Sequence, residues 1–145
     1  MVNLVKIAVG VTTVEELSLR QKEFLRKIND KNFPYFYHST RMMPKKHEDI
    51  ISNGSLYWVI KGAICARQKV LDIVKIEDTD GKKRCKIFLA AEIVKTKPVR
   101  KRPFQGWRYL KKHITPEDLN EPIKANFDSN IPIQLQKQLL EMGVL

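Results

Sequence analysis

Apolar and polar positions along this chain fall into blocks of strand or helix spacing, and each block predicts one element. Residues 2–9 carry Leu4, Ile7 and Val9 as the apolar points of a strand that ends at Gly10. Val14, Leu17, Phe24, Leu25 and Ile28 then recur every three or four residues, which places them on one face of a helix over 13–29. Thr12 and Thr13 stand three residues before Glu15 and Glu16, so a hydroxyl caps the helix start while a carboxylate closes the box. Arg20, Lys22, Glu23, Arg26 and Lys27 fall on the solvated side.

After the polar break Asn29–Asn32, the segment Phe33–Tyr37 (FPYFY) reads as a short aromatic strand with Pro34 at its beginning or at a sheet edge. Pro44 suits the first turn of a helix running to Ser52, because that position needs no backbone donor, and Asn53-Gly54 ends it. His47, Ile50 and Ile51 form its inward face. Ser55–Gly62 sets Leu56, Trp58 and Ile60 against Tyr57, Val59 and Lys61, so both faces are largely apolar and a central strand is expected.

Ala63–Ile76 is a further extended segment, interrupted by the polar triplet Arg67-Gln68-Lys69, which marks an exposed edge, a bulge or a functional face. Asp80-Gly81 is a two-residue hairpin signal, since both central positions of the favoured turn take positive φ. It leads into Lys83–Ile93, with Cys85, Ile87 and Leu89 facing one way and Arg84, Lys86 and Phe88 the other.

Residues 94–113 contain Pro98, Pro103 and Gly106 without a sustained period and read as a structured basic loop. Thr115-Pro116, with Asp118 three positions after the hydroxyl, reads as the start of a helical turn. A last helix, capped by Asn130 and stopped by Gly143, carries Ile131, Leu135, Leu139 and Met142 on one stripe. No repeat or low-complexity tract interrupts the chain. Its 145 residues read as one α+β (mixed α/β) domain, 1–145, with a mostly antiparallel sheet of about five strands and two to four packed helices.

Charge changes this picture most. The net charge is +11, and residues 95–113 hold eight Lys and Arg with no Asp or Glu, with Phe104, Trp107 and Tyr109 among them. A smaller cluster, Lys82-Lys83-Arg84 with Lys86, follows the hairpin. Arg100, Lys101, Arg102, Arg108, Lys111 and Lys112 are candidates to neutralise phosphates, and Trp107 or Tyr109 to stack on an unpaired base. The plainer alternative is a solvated charge run in which Phe104 and Trp107 are core anchors. RNA, structured or single-stranded, is expected over a defined DNA sequence, because no helix combines basic and short polar residues for the major groove.

Other chemistry is narrower. Cys65 and Cys85 lie in no metal or redox motif, and His38, His47 and His113 have no zinc spacing, so buried free thiols in a reducing compartment are expected, with no metal and no cofactor. Thr40–Lys46 (TRMMPKK) places Arg41 and Lys45 beside a helix start but lacks the glycines of a Walker loop, so nucleotide hydrolysis is not expected. Without a long apolar run or a secretory leader, the expectation is a cytoplasmic protein with no membrane contact. An enzyme acting on an anionic metabolite or nucleotide would hold its substrate with Arg41, Lys61 and Arg67 and move protons with His47 or Glu92. A structural or assembly protein would instead meet an acidic partner through 95–113.

The blocks Leu4–Gly10, Thr40–Ile50 (TRMMPKKHEDI), Gly54–Gly62 (GSLYWVIKG), Ala66–Gln68 and Arg102–Leu110 (RPFQGWRYL) resemble the signature blocks of an alphaproteobacterial domain-of-unknown-function family. The resemblance spans nearly the whole chain and brings no activity with it. It directs attention to Arg41, Lys61, Arg67, Gln68, Arg102, Gln105, Trp107 and Arg108, which on converging would form a cationic site with an amide and an aromatic platform. The strand Tyr57–Lys61 is also similar to one branch of the small-barrel RNA-binding and modified-base-reading modules. That likeness implies a curved sheet, as in a small RNA-binding-type barrel, with a basic cleft beside it.

Overall fold

The computed structural model describes residues 2–28 and 35–119. Along these the elements are β1 (Asn3–Ile7), α1 (Val14–Ile28), β2 (Tyr37–Thr40), α2 (His47–Asn53), β3 (Ser55–Ile60), β4 (Ala63–Glu77), β5 (Lys83–Leu89), β6 (Val94–Arg100), β7 (Trp107–Leu110) and a 3-10 turn at Lys112–Ile114. The final helix expected from Asn130 onward, and Phe33 and Pro34, lie outside the described residues.

The seven strands form one mixed sheet in the order β2-β5-β4-β3-β1-β7, with β6 also on β4. Only β1 and β3 pair in parallel, and their connection carries α1, β2 and α2. The expectation of a curved sheet of about five strands in barrel form is therefore corrected. The path ends on two different strands, β2 and β7, no pairing joins them, and the sheet is open. The miscount has one source: 94–113, read as a loop, supplies β6 and β7.

The fifteen-residue strand β4 organises the sheet. Its first half is bonded to β3 and β6 and its second half to β5. On β6, Lys95 lies opposite Ala66 and Val99 opposite Ile64, so the extra residues bulge out where Pro98 has no N–H to offer. This irregularity hides the period that a strand reading needs.

Alternation sorts the core onto two faces. Leu4, Leu56, Trp58, Ala66, Val70, Ile87 and Leu89 meet Leu17 of α1 and Ile50 of α2 on one face. Val5, Tyr57, Val59, Ile64 and Leu110 form the other, where the 101–106 connection adds Phe104. Every residue of β3 is buried, as expected of a strand covered on both sides.

Local chemistry fixes the ends of these elements. Thr13 Oγ1 accepts the Glu16 N–H at 3.0 Å, and the Glu16 carboxylate accepts the Thr12 N–H and hydroxyl, so the expected capping box forms. The two-residue hairpin turn with both central residues at positive φ is Lys61-Gly62, at 50° and 78°. The Asp80-Gly81 hairpin forms with only Gly81 at positive φ, because the Asp78 carboxylate accepts the N–H groups of Asp80 and Lys82 and holds the turn instead. Gly54 is required by contact, since a Cβ there would sit 2.1 Å from the Val2 carbonyl oxygen. Pro44 is buried ahead of α2, which starts later than expected, at His47. Thr115–Asp118 starts no helix. Instead Lys97 donates to the Glu117 carbonyl and Leu119 to that of Lys95, which lays this segment along β6.

Candidate nucleic-acid interface

Two members of the polar triplet of β4, Arg67 and Gln68, are engaged by the fold, and Lys69 is exposed. Gln68 is fully buried, and its Oε1 accepts from Gln21 Nε2 at 2.7 Å and Trp58 Nε1 at 2.9 Å. Its Nε2 donates to Gln21 Oε1 and to the Ala90 carbonyl, both at 2.8 Å. All its hydrogen-bonding capacity is met, so it is a latch between α1 and three segments of the sheet and has nothing left for an anion. Arg67 points to the opposite face, where its Nε and NH2 each reach Asp118 at 2.7 Å and NH1 donates to Ser55 Oγ at 3.2 Å. That bidentate pair raises the Arg67 pKa, and burial of Glu92 near the same pair raises its carboxyl.

The cationic site expected from Arg41, Lys61, Arg67, Gln68 and Gln105 does not assemble. Lys61 turns the chain at the start of β4, whereas Arg41 lies beside its far end. Thirteen or so residues of strand separate the two, on the order of 40 Å. Gln105 is exposed in the 101–106 connection. His47, half-buried at the start of α2, lies on the helix side of the sheet, whereas Arg67 faces the other side; Glu92, the alternative proton-transfer candidate, lies near enough to Arg67 to feel its charge. Among the described residues no cluster of His, Cys, Asp or Glu could hold a metal ion, and no helix is long and apolar enough to cross a membrane. Cys85 is buried and Cys65 half-buried; both are free thiols, and burial raises both pKa values.

The basic stretch behaves differently from the triplet. Lys95 pairs with Glu15 at 2.9 Å and Lys97 with Glu117 at 3.1 Å. Among the described residues, Arg100, Lys101, Arg102, Arg108, Lys111 and Lys112 have no carboxylate at ion-pair distance. Five are exposed; Lys101 is half-buried with its ammonium 5.8 Å from the Phe104 ring centre. Arg108 lies on β7 and Lys111 and Lys112 follow it, and among the described residues the outer edge of β7 is unpaired. Arg100 instead ends β6, four strands across the sheet, and Lys101 and Arg102 open the 101–106 connection that crosses from there to β7.

Strand alternation divides the expected platform. Trp107 lies opposite Lys6 and Tyr109 opposite Leu4, on the helix-covered face, whereas Arg108 lies opposite Val5 on the other. Trp107 is an anchor: its indole donates to the Met42 carbonyl at 2.7 Å, and its ring packs against the main core. Phe104 anchors the preceding connection, so both aromatics follow the plainer of the two expectations. Tyr109 remains 40% exposed, accepts the Lys46 N–H at 3.3 Å and has the Lys46 ammonium 5.7 Å from its ring centre. Tyr109 is thus the exposed aromatic of this stretch and has a cation beside it. Lys46 was not among the residues singled out, although TRMMPKK contains it.

Sequence reasoning also missed a group drawn from four strands. Lys6 has Trp58 and Trp107 as its lateral neighbours, and His38 meets Trp58 edge-on with ring centres 6.0 Å apart. Burial, helped by the Lys6 charge, lowers His38 to about 4, which keeps it neutral near pH 7. Gln21 could have been found, since it falls on the stripe between Leu17 and Leu25.

An open mixed sheet with helices against one face defines a small mixed α/β domain, in which the described residues leave the outer edge of β7 unpaired. The chain belongs to the family described as a protein of unknown function, DUF1489, whose model matches residues 4–145. No curated protein and no solved structure matches it.

Proposed function

We propose that this protein binds nucleic acid, RNA in the first place, along the path from the end of β6 through the 101–106 connection to the β7 edge. The observation that carries this reading is the set of six cations, Arg100, Lys101, Arg102, Arg108, Lys111 and Lys112, without acidic partners among the described residues, in a fold that neutralises Lys95, Lys97 and Arg67. A strand laid along an open edge meets side chains from both faces: Arg108 from one, Lys46 and Tyr109 from the other. Phosphates take the cations and an unpaired base stacks on Tyr109, while Trp107 holds the 41–46 loop in place.

The test is fluorescence anisotropy with short single-stranded RNA, hairpin RNA and duplex DNA at two salt concentrations. Six neutralised phosphates on a single strand give a log–log salt slope of about −4, and an Arg100/Lys101/Arg102→Ala variant should reduce its magnitude by about 2. Absence of binding to every probe ends this reading.

A further inference from the structure

A second basic region lies at the other end of β4. Thr40 of β2 pairs with Cys85 of β5, which brings Arg41 next to Arg84; Ile76 and Glu77 of β4 lie opposite Arg84 and Lys83. Arg41, Lys75, Lys83 and Arg84 border one half-open cleft of about 450 Å3 at this end of the ribbon, with Met43 and Ile76 as its apolar lining; alternation turns Lys75 and Lys83 to one face of the β4–β5 ribbon and Arg84 to the other. That volume falls in the range of small-ligand sites. The sequence offered two unconnected basic clusters, TRMMPKK and KKRCK; the β2–β5 pairing makes them neighbours.

Among the described residues Arg41, Lys75 and Lys83 have no ion pair, and Arg84 reaches Asp78 at 3.4 Å. Glu77 is the one carboxylate in the lining. Its Oε1 leans toward the hairpin turn, 3.8 Å from where a Cβ on Gly81 would sit. Arg41 and Arg84 offer two guanidinium forks at the cleft, and Lys75 and Lys83 border it from the other face of the ribbon, more charge than a phosphodiester, with its single charge, needs. A phosphate monoester carries about −1.5 to −2 at pH 7 and three acceptor oxygens, and guanidinium forks match its geometry.

We propose that this cleft binds a phosphate monoester, either the 5′-terminal phosphate of a nucleic-acid strand or a free nucleoside monophosphate. The strand source rests on the nucleic-acid reading above; the anion site itself does not. The 41–46 loop connects the cleft to the β7 edge, since the Met42 carbonyl holds Trp107 and Lys46 lies on Tyr109. A strand whose end is held at Arg41 is thereby led toward that edge.

The experiment compares 5′-phosphorylated with 5′-hydroxyl RNA of one sequence by anisotropy, and AMP by amide NMR titration, on the full chain. The variants are Arg41→Ala, Lys83→Ala and Arg100/Lys101/Arg102→Ala. The wild type should favour the phosphorylated end about tenfold, the size of one charge-assisted contact. Arg41→Ala and Lys83→Ala should each reduce that preference while leaving affinity for the 5′-hydroxyl strand nearly unchanged. The triple variant should weaken both strands and keep their ratio. AMP shifting the amides of Arg41, Lys75 and Lys83 without an end preference assigns the cleft to the free nucleotide. If AMP binds there but no RNA binds at all, the cleft stands and the nucleic-acid reading falls. Equal affinity for both ends together with no AMP shift overturns the proposal, as does an end preference that survives Arg41→Ala and disappears in the triple variant.

Discussion

Arg67-Gln68-Lys69 and Arg100–Lys112 both put charged or amide side chains into strand-like sequence, yet the fold treats them in opposite ways. Gln68 has four hydrogen bonds inside the protein and Arg67 a bidentate carboxylate. The six cations between the end of β6 and Lys112 have no such partners among the described residues. The difference teaches that a polar residue within a strand says little about function until its partners are counted. A satisfied group holds the fold together; an unsatisfied charge is left for something outside it.

The sharpest way to break this contrast is at the latch. Gln68→Leu leaves the Trp58 N–H, the Ala90 carbonyl and the Gln21 amide without their partner, each costing about 1–3 kcal/mol. A loss of about 3–5 kcal/mol in urea denaturation is expected, and a loss below about 1 would show that Gln68 is not a structural latch. Acid probes the same interior. His38 is held at about 4 in the folded chain against 6.5 unfolded. It is neutral in both states above pH 6.5, so its contribution is complete there and is lost as pH falls toward 4, by up to about 3 kcal/mol. His38→Phe should flatten that part of the stability profile, and an unchanged slope between pH 6.5 and 4.5 would refute the assignment.

The basic edge should respond in the reverse manner. Arg100/Lys101/Arg102→Ala should weaken RNA binding about 30-fold or more at moderate salt and change folding stability by no more than about 0.5 kcal/mol. Failure to fold would move these residues into the structural class. The smallest expected effect joins the two regions. Asp118→Asn releases Arg67, so stability should fall by less than about 1 kcal/mol, because the pair is partly exposed, while RNA affinity rises about twofold. Weaker RNA binding would show that the 117–119 segment positions the interface.

Much of the fold was legible because its signals are local. The α1 stripe and its threonine cap, the inward alternation of Cys85, Ile87 and Leu89, and the two-sided burial of Ser55–Ile60 all lie within one element. The strands β6 and β7 were not legible. Pro98 and the bulge around it erase the period, and the pairing partners of these strands are β4 and β1, far away in the chain. The Arg41 cleft was hidden for the same reason, since its basic clusters lie some forty residues apart and meet only through β2–β5 pairing.

The sequence by itself determined the α1 periodicity, the β3 core strand, the existence of the β4–β5 hairpin and the concentration of positive charge in 95–113, because spacing and composition are properties of neighbours along the chain. Tertiary structure alone decided that the sheet stays open, that Gln68 and Arg67 are spoken for, that Trp107 is an anchor and that Arg41 joins Lys83 and Arg84. Those outcomes depend on which residues from distant segments come within hydrogen-bonding and ion-pairing reach, and strand pairing sets that reach.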